Sequence, residues 1–469
     1  MLAAFLAGRL VIWFHDPIFL NADSPTYRLD DHTHSVWYIL SFTGHSSRLW
    51  GAPLLFAAFP TDEARAFAQW TIGTLAWGLL AVVLCVRLRS TLARVLTAAA
   101  VLGLGLLPQA ASWDFAIIAE PLSIDLGVAT LALLIWFLSG GGRAVLVALT
   151  IAAFWWTFVR PELRVMVAFV IVVLIGYAVF RKSRRLAVTA AAAVLVLAAG
   201  WVTAITPTMD RTHADRLWHG LTLTEATFTY RLRFEIMANP KILAVYQNKL
   251  GLPHCPAAER FGNSSHWQMT AFLEAYLSCP DLVAWGRKNA GASGYRFAMA
   301  APDLYAHEML RVLPLSLGSA TIPDDYGVLP RSVDRIAFPA RHRVLPSLAI
   351  GWLVALAGAL VTGAFRRRKL LVWTSVGVVL ASATSSTIEL MYAAGDYSRF
   401  GIQESLLSRI AIILMAAAAL DALIGRFRGE TAPPADHDAD RADHDDHDGG
   451  GGAAEPAADQ TATTTLPVA

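Results

Sequence analysis

Residues 186–205 read LAVTAAAAVLVLAAGWVTAI, and this stretch decides the class of fold. It contains no charged residue and is apolar on every face, so it lacks both the alternation of a half-buried strand and the polar stripe of a surface helix. Its 20 residues are long enough, as a helix, to cross about 30 Å of hydrocarbon. Strands of a membrane barrel alternate in polarity. The stretch therefore predicts a membrane-spanning α-helix.

Similar apolar runs recur along the chain. Of the 469 residues, 55% are hydrophobic and 16% charged, whereas a soluble protein has about 25% charged residues. This balance excludes an ordinary soluble enzyme and predicts an all-α polytopic membrane protein with about ten transmembrane helices. The predicted spans lie near residues 2–14, 66–86, 92–108, 115–138, 144–159, 165–180, 186–206, 345–365, 370–392 and 405–425.

Basic residues follow every second predicted span. They are Arg87, Arg89 and Arg94, then Arg143, then the cluster 181–185, then 366–369, and last Arg426 and Arg428. Short loops rich in Lys and Arg stay in the cytoplasm. Both termini are therefore expected in the cytoplasm and the alternate loops outside. Frequent Ala and the preference for Arg over Lys are typical of GC-rich coding, so we expect the plasma membrane of a bacterium.

Four segments follow from this reading. Residues 1–206 form an N-terminal transmembrane module whose first outer loop is 15–65, and 207–344 form an extracytoplasmic, mostly helical domain. Residues 345–429 are the C-terminal transmembrane helices. Residues 430–469, with ten acids and one arginine among His and Gly, predict a disordered cytoplasmic tail.

The chain has three cysteines. Cys255 and Cys279 both lie in the predicted outer domain, where an oxidising environment favours a disulfide between them. Cys85 lies in an apolar run, which favours a packing role.

Polar motifs on the predicted outer side carry the chemistry. They are NADSPTY at 21–27, AEPLS at 119–123, FVRPEL at 158–163 and GDYSRF at 395–400. Two of them supply acids suited to taking a proton, and two supply arginines suited to binding a phosphate. A carboxylate beside a cationic clamp is the arrangement that activates a hydroxyl while a phosphate leaves, so these motifs are expected to line one cavity.

In this order and on one side of the membrane, the motifs resemble those of the GT-C superfamily of integral membrane glycosyltransferases. That superfamily includes the protein mannosyltransferases and the actinobacterial arabinosyl- and mannosyltransferases, and the resemblance covers residues 1–425. It implies a polyprenyl-phosphate sugar as donor and a glycan, lipid or protein as acceptor, at the outer face. An enzyme of this kind requires no cofactor, although a divalent metal is possible. Membrane lipid is an expected partner, and nucleic acid is not.

The resemblance also implies roles for individual residues. Asp23 matches the first-loop acid that acts as general base, and Glu120 and Asp114 match a second acidic position. The set that holds the donor phosphate is Arg160, Arg399 and Tyr27. A lone Asp stands where many members have two adjacent acids. Single displacement on the sugar predicts inversion at the anomeric carbon.

Each residue also has a structural interpretation. Asp23 could turn the chain, and Glu120 could be a first-turn helix acid. Arg160 could be a membrane anchor, and Arg399 could pair with Glu389 or Asp396.

Two functional alternatives stay open. One is a transporter or flippase of a lipid-linked or anionic envelope precursor, and the other is a non-catalytic scaffold. The histidines at 15, 32, 34 and 45 lack the spacing of a zinc helix, so a required metal is not expected.

Overall fold

The computed structural model describes residues 1–21, 23–28, 48–181, 184–217, 220–262, 269–322, 325–392 and 397–429. The predicted tail at 430–469 and most of the predicted first outer loop lie outside the described residues. The helices are α1 (Leu2–His15), α2 (Ser24–Arg28), α3 (Gly51–Ala57), α4 (Asp62–Arg87), α5 (Thr91–Leu104), α6 (Pro108–Ala111), α7 (Glu120–Leu138), α8 (Arg143–Thr157), α9 (Arg164–Phe180), α10 (Arg185–Leu217), α11 (Leu223–Arg231), α12 (Pro240–Asn248), α13 (Pro256–Glu259), α14 (Met269–Leu277), α15 (Pro280–Asn289), α16 (Ser293–Ala300), α17 (Pro302–Ser316), α18 (Arg331–Ala337), α19 (Val344–Thr362), α20 (Ala364–Arg367), α21 (Lys369–Tyr392), α22 (Tyr397–Phe400) and α23 (Ile402–Phe427).

The long apolar helices define a helical integral membrane protein. In the described part of the chain, seven segments are long and apolar enough to cross a membrane, and they contain α4, α7, α9, α10, α19, α21 and α23. An eighth results if α5 and Pro108–Phe115, bent by 61°, form one span. The predicted spans at 2–14 and 144–159 are α1 and α8, with 14 and 15 residues. At 1.5 Å per residue these helices reach only about 21–23 Å, so ten full-length spans are not confirmed.

The basic turns lie at one end of the bundle. Asp421 of α23 accepts a hydrogen bond from the backbone N–H of Ser90 (2.7 Å) and pairs with Arg368, so it joins the turns that follow α4 and α19. Arg87 donates to the carbonyl of Ser139 (3.1 Å), and the turn after α9 likewise contacts the turn after α7. Glu120 begins α7 at the opposite end, about 28 Å away along the helix axis.

Helices α11–α17 build a hydrophobic core of their own, and we call residues 220–316 the helical domain. Tyr246, Phe272 and Tyr276 are fully buried in it. A disulfide joins Cys255 and Cys279, which immediately precede α13 and α15, with their Cα atoms 6.3 Å apart. The predicted boundary at 206 is not a helix end, because α10 continues through Pro207 to Leu217.

Candidate active site

Asp23 lies in a loop whose shape is fixed by local hydrogen bonds. The backbone N–H of Asn21 donates to Ser24 Oγ (2.8 Å), and the N–H of Asp23 donates to Asn21 Oδ1 (3.1 Å). Thr26 Oγ1 donates to the Asp23 carbonyl (2.7 Å). Asp23 thus contributes its backbone to the turn, while its carboxylate binds two arginines from distant parts of the chain.

Six charged side chains form a continuous series, which we call the ion network: Arg48, Asp23, Arg399, Glu120, Arg160 and Glu162. Asp23 Oδ1 is 3.0 Å from Arg48 Nη2, and Asp23 Oδ2 is 2.9 Å from Arg399 Nη1. Glu120 Oε1 lies 3.4 Å from Arg399 Nε and 4.0 Å from Arg160 Nη1. Glu162 pairs with Arg160 at the far end. The two arginines that the sequence assigns to phosphate binding therefore approach one carboxylate.

The ion network runs from a partly open end to a closed one. The Asp23 side chain is 34% exposed, whereas that of Glu120 is 3% exposed and that of Arg160 is 6% exposed. Arg48 and Arg399 lie between these values. A ligand that enters beside Asp23 would meet progressively less water, where charge pairing is stronger.

Ion pairing favours the charged forms of Asp23 and Arg160. Burial alone would raise the pKa of the Asp23 carboxyl, but Arg48 and Arg399 lower it below its ordinary value. Burial opposes the charge of Arg160, yet Glu162 and Glu120 raise the pKa of its guanidinium. Burial raises the pKa of Tyr27 to about 12, so its hydroxyl stays a hydrogen-bond donor at neutral pH.

Aromatic rings orient the arginines. The guanidinium carbon of Arg48 is 4.5 Å from the centre of the Tyr27 ring. Those of Arg160 and Arg399 are each 5.0 Å from the Phe400 ring. A guanidinium over an aromatic face is attracted by it and held in plane. Tyr27 therefore lies against the network, as a support for Arg48.

The position of Arg160 depends on a close contact between two backbone segments. It follows the end of α8 in an extended conformation, directly before Pro161. The N–H of Gly51 donates to the Phe158 carbonyl (2.9 Å), and a Cβ on Gly51 would lie 2.6 Å from that oxygen. Only glycine lets α3 approach the segment that carries Arg160.

Asp114 does not belong to the ion network. It pairs with Arg9 of α1, and both side chains are 1% exposed. Arg9 also donates to Thr74 Oγ1 (3.1 Å) and to the Trp70 carbonyl (3.3 Å). Asp114 is thus the internal partner of an arginine, and the catalytic role expected for it has no geometric basis here. Arg9 points into the bundle and does not extend to a lipid headgroup.

The site also contains residues that the sequence analysis missed. Arg48 lies outside all four motifs, and Glu162 was noted only as part of one. Glu404, buried at the start of α23, accepts a hydrogen bond from Ser385 Oγ (2.8 Å) and contacts the carboxyl group of Glu389. The isolated position of Glu404 on an apolar helix is the signal that could have identified it, whereas the sequence analysis named Glu389 only as a structural partner of Arg399.

The helical domain reaches the open end of the network. Tyr230, the penultimate residue of α11, is close enough to Asp23 for that charge to raise the pKa of its hydroxyl, together with burial as the larger cause. The helical domain therefore lies within electrostatic range of Asp23.

In the described ranges, no three His, Cys, Asp or Glu side chains are grouped so as to hold a metal ion. The histidines at 32, 34 and 45 lie outside those ranges. Comparisons with protein families, curated proteins and solved structures find no match to this chain.

Proposed function

We propose that this protein is a membrane glycosyltransferase of the GT-C type, which moves a sugar from a polyprenyl monophosphate donor to an acceptor hydroxyl with inversion. One observation carries the proposal. Asp23 is bonded to Arg399, 376 positions away in sequence, and Arg399 and Arg160 both approach Glu120. A carboxylate and two guanidiniums are thereby gathered at one partly open site.

The donor phosphate would exchange partners with Asp23. The ion network holds three acids and three arginines, so its formal charge is zero, and an added phosphate competes with Asp23 for Arg399 and Arg48. Asp23, released from the guanidiniums, regains basicity and takes the proton of the acceptor hydroxyl. The acceptor oxygen bonds to the anomeric carbon, and the bond from that carbon to the phosphate oxygen breaks. Its electron pair leaves on the lipid phosphate, which Arg160 and Arg399 stabilise.

Glu120 would support this step as the second acid. It lies between Arg160 and Arg399, so it sets the separation of the two guanidiniums. The arginines neutralise the leaving phosphate, so the proposal needs no cofactor, and a divalent metal is optional.

The active site would face outward. The ion network lies at the end of the bundle opposite the basic turns, which the positive-inside rule assigns to the cytoplasm. The Cys255–Cys279 disulfide in the helical domain fits an oxidising compartment. If α1 and α8 cross as short helices and the bent pair of α5 and Pro108–Phe115 forms one span, the spans number ten and both termini are cytoplasmic. The helical domain would then bind a glycan, lipid or protein acceptor outside the plasma membrane of a bacterium.

A transporter or flippase of a lipid-linked precursor is the second candidate, and a polar stripe favours it. Ser375, Ser382, Ser386 and Glu389 lie on one face of α21 and are buried. Buried polar residues inside a membrane bundle often mark a substrate or proton path. The two candidates differ in outcome, since a flippase moves the lipid across a bilayer and leaves its sugar attached.

The test uses the full chain in sealed lipid vesicles with polyprenyl-phosphate mannose or arabinose and bacterial envelope acceptors. Asp23→Asn should lose about 100-fold or more of the transfer rate, as expected when a general base is removed. It should still bind polyprenyl monophosphate. Asp62→Asn is the matched control, because Asp62 also joins two arginines, Arg28 (2.8 Å) and Arg65 (2.7 Å). Undiminished transfer by Asp23→Asn contradicts the proposal, and lipid flipping without transfer favours the second candidate.

A further inference from the structure

We propose that Glu235 and Tyr397 form a latch by which the helical domain positions Arg399. The Tyr397 hydroxyl donates a hydrogen bond to the Glu235 carboxylate, although the two residues are 162 positions apart in sequence. Tyr397 and Arg399 belong to the same four-residue helix, α22. The consequence for the donor phosphate depends on the proposed function, whereas the latch itself does not.

The Glu235 side of the latch is fixed within the helical domain. Glu235 lies in the π-helical segment Leu232–Ile236, which continues α11. Arg231 Nε donates to Glu235 Oε2 (3.2 Å), and Arg231 Nη1 reaches Ser293 Oγ (3.5 Å) on α16. A π-helical turn re-aims side chains and is frequent at functional sites. Arg231 therefore holds Glu235 through Oε2, and the other carboxylate oxygen, Oε1, accepts the hydrogen bond from Tyr397.

The Tyr397 side of the latch sets the place of Arg399. Tyr397 is buried against Val312 of α17 and packs beside Phe400, the ring that both site arginines face. A Cβ on Gly401 would lie 2.5 Å from the Ser316 carbonyl oxygen, so the end of α17 adjoins the start of α23. The helical domain thus contacts α22 on both sides of Arg399.

The same domain approaches the other partner of Arg399. Tyr230, five residues before Glu235, lies within electrostatic range of Asp23. The segment 230–235 is therefore hydrogen-bonded to the Arg399 helix through Glu235, and its first residue lies within electrostatic range of Asp23. Tyr397 and Glu235 are positioning residues in this arrangement, because neither touches the predicted phosphate position.

The experiment compares Tyr397→Phe, Glu235→Gln and the double variant in the full chain, with undecaprenyl monophosphate as the probe. Removing a hydrogen bond to a charged group should weaken binding of the probe by about tenfold in Tyr397→Phe. Hydrogen exchange of the backbone over 398–402 should become faster. In the Tyr397→Phe background, Glu235→Gln should change probe binding and exchange over 398–402 no further, because Glu235 reaches α22 through its bond to Tyr397. Its pair with Arg231 lies within the helical domain, so loss of that pair should lower stability and leave these two readouts unchanged.

Tyr276→Phe is the matched control. It removes a hydroxyl from the same domain core, and that hydroxyl has no hydrogen-bond partner among the described residues. In Tyr276→Phe, backbone hydrogen exchange over 398–402 and affinity for the probe should equal those of the wild type. Unchanged exchange and binding in Tyr397→Phe would overturn the latch. If the wild type binds no probe, the proposed function fails, and the exchange rates alone then decide whether the latch exists.

Discussion

Replacing Arg9 by leucine tests whether the buried ion pair between Arg9 and Asp114 stabilises the fold. Arg9 is fully buried and pairs with Asp114, which is 1% exposed. Arg9→Leu leaves the Asp114 carboxylate without its counter-charge, and it removes the hydrogen bonds to Thr74 and the Trp70 carbonyl. Removing one partner of a buried ion pair costs about 3–5 kcal/mol. We expect a loss of this size in the free energy of unfolding.

The assay is equilibrium unfolding by dodecyl sulfate in mixed micelles, followed by tryptophan fluorescence. Arg9→Leu/Asp114→Leu should recover most of the loss, because apolar residues can replace a buried ion pair at little cost. Arg143→Leu is the control at an exposed helix start and should change stability by less than about 0.5 kcal/mol. A loss below about 1 kcal/mol in Arg9→Leu, or a double variant less stable than the single, would refute the buried pair.

Three further predictions concern the frame of the site. Gly51→Ala should cost about 1–3 kcal/mol of stability, because its Cβ meets the Phe158 carbonyl. Gly78→Ala is the control in thermal unfolding, because its Cβ would make only an ordinary van der Waals contact, 3.9 Å from Leu2 Cδ2. Replacing Cys255 and Cys279 by serine opens a loop of 24 residues and should cost about 3 kcal/mol. The control Cys85→Ser keeps the disulfide, so reductant should lower its stability as it does for the wild type, whereas the double serine variant should not respond to reductant. Burial raises the pKa of Asp16 from 3.8 to about 6, so ionisation disfavours the folded state; stability should fall as pH rises from about 4 through 6, and Asp16→Asn should lack this slope in pH-dependent unfolding.

The sequence predicts the helical class and the juxtaposition of distant motifs because both depend on patterns along the chain. Apolar run length specifies most spans, and the charge of the short loops assigns motifs to one end. Asp23, Glu120, Arg160 and Arg399 lie together because each is at or near a helix terminus at the same end of the bundle. Their catalytic and binding roles stay predictions.

Other features depend on which residues pair in three dimensions, and no local sequence pattern indicates that pairing. Asp114 and Glu120 are six residues apart and look equivalent in sequence. Asp114 nevertheless pairs with the buried Arg9, whereas Glu120 belongs to the ion network. Arg48 has no motif and reaches Asp23 only through the fold. The ends of α1 and α8 fall within two residues of the predicted spans 2–14 and 144–159, but an apolar run of this length does not show whether the helix crosses the membrane.

Binding of undecaprenyl monophosphate by four proteins tests the central claim most directly. These are the wild type, Arg160→Gln, Arg399→Gln and the double variant, with Arg164→Gln as the neighbouring control. If both guanidiniums hold one phosphate, each single change weakens binding by about tenfold or more, and the double change weakens it by less than the product of the two. Wild-type affinity in both single variants, or two fully independent losses, would contradict a shared phosphate site.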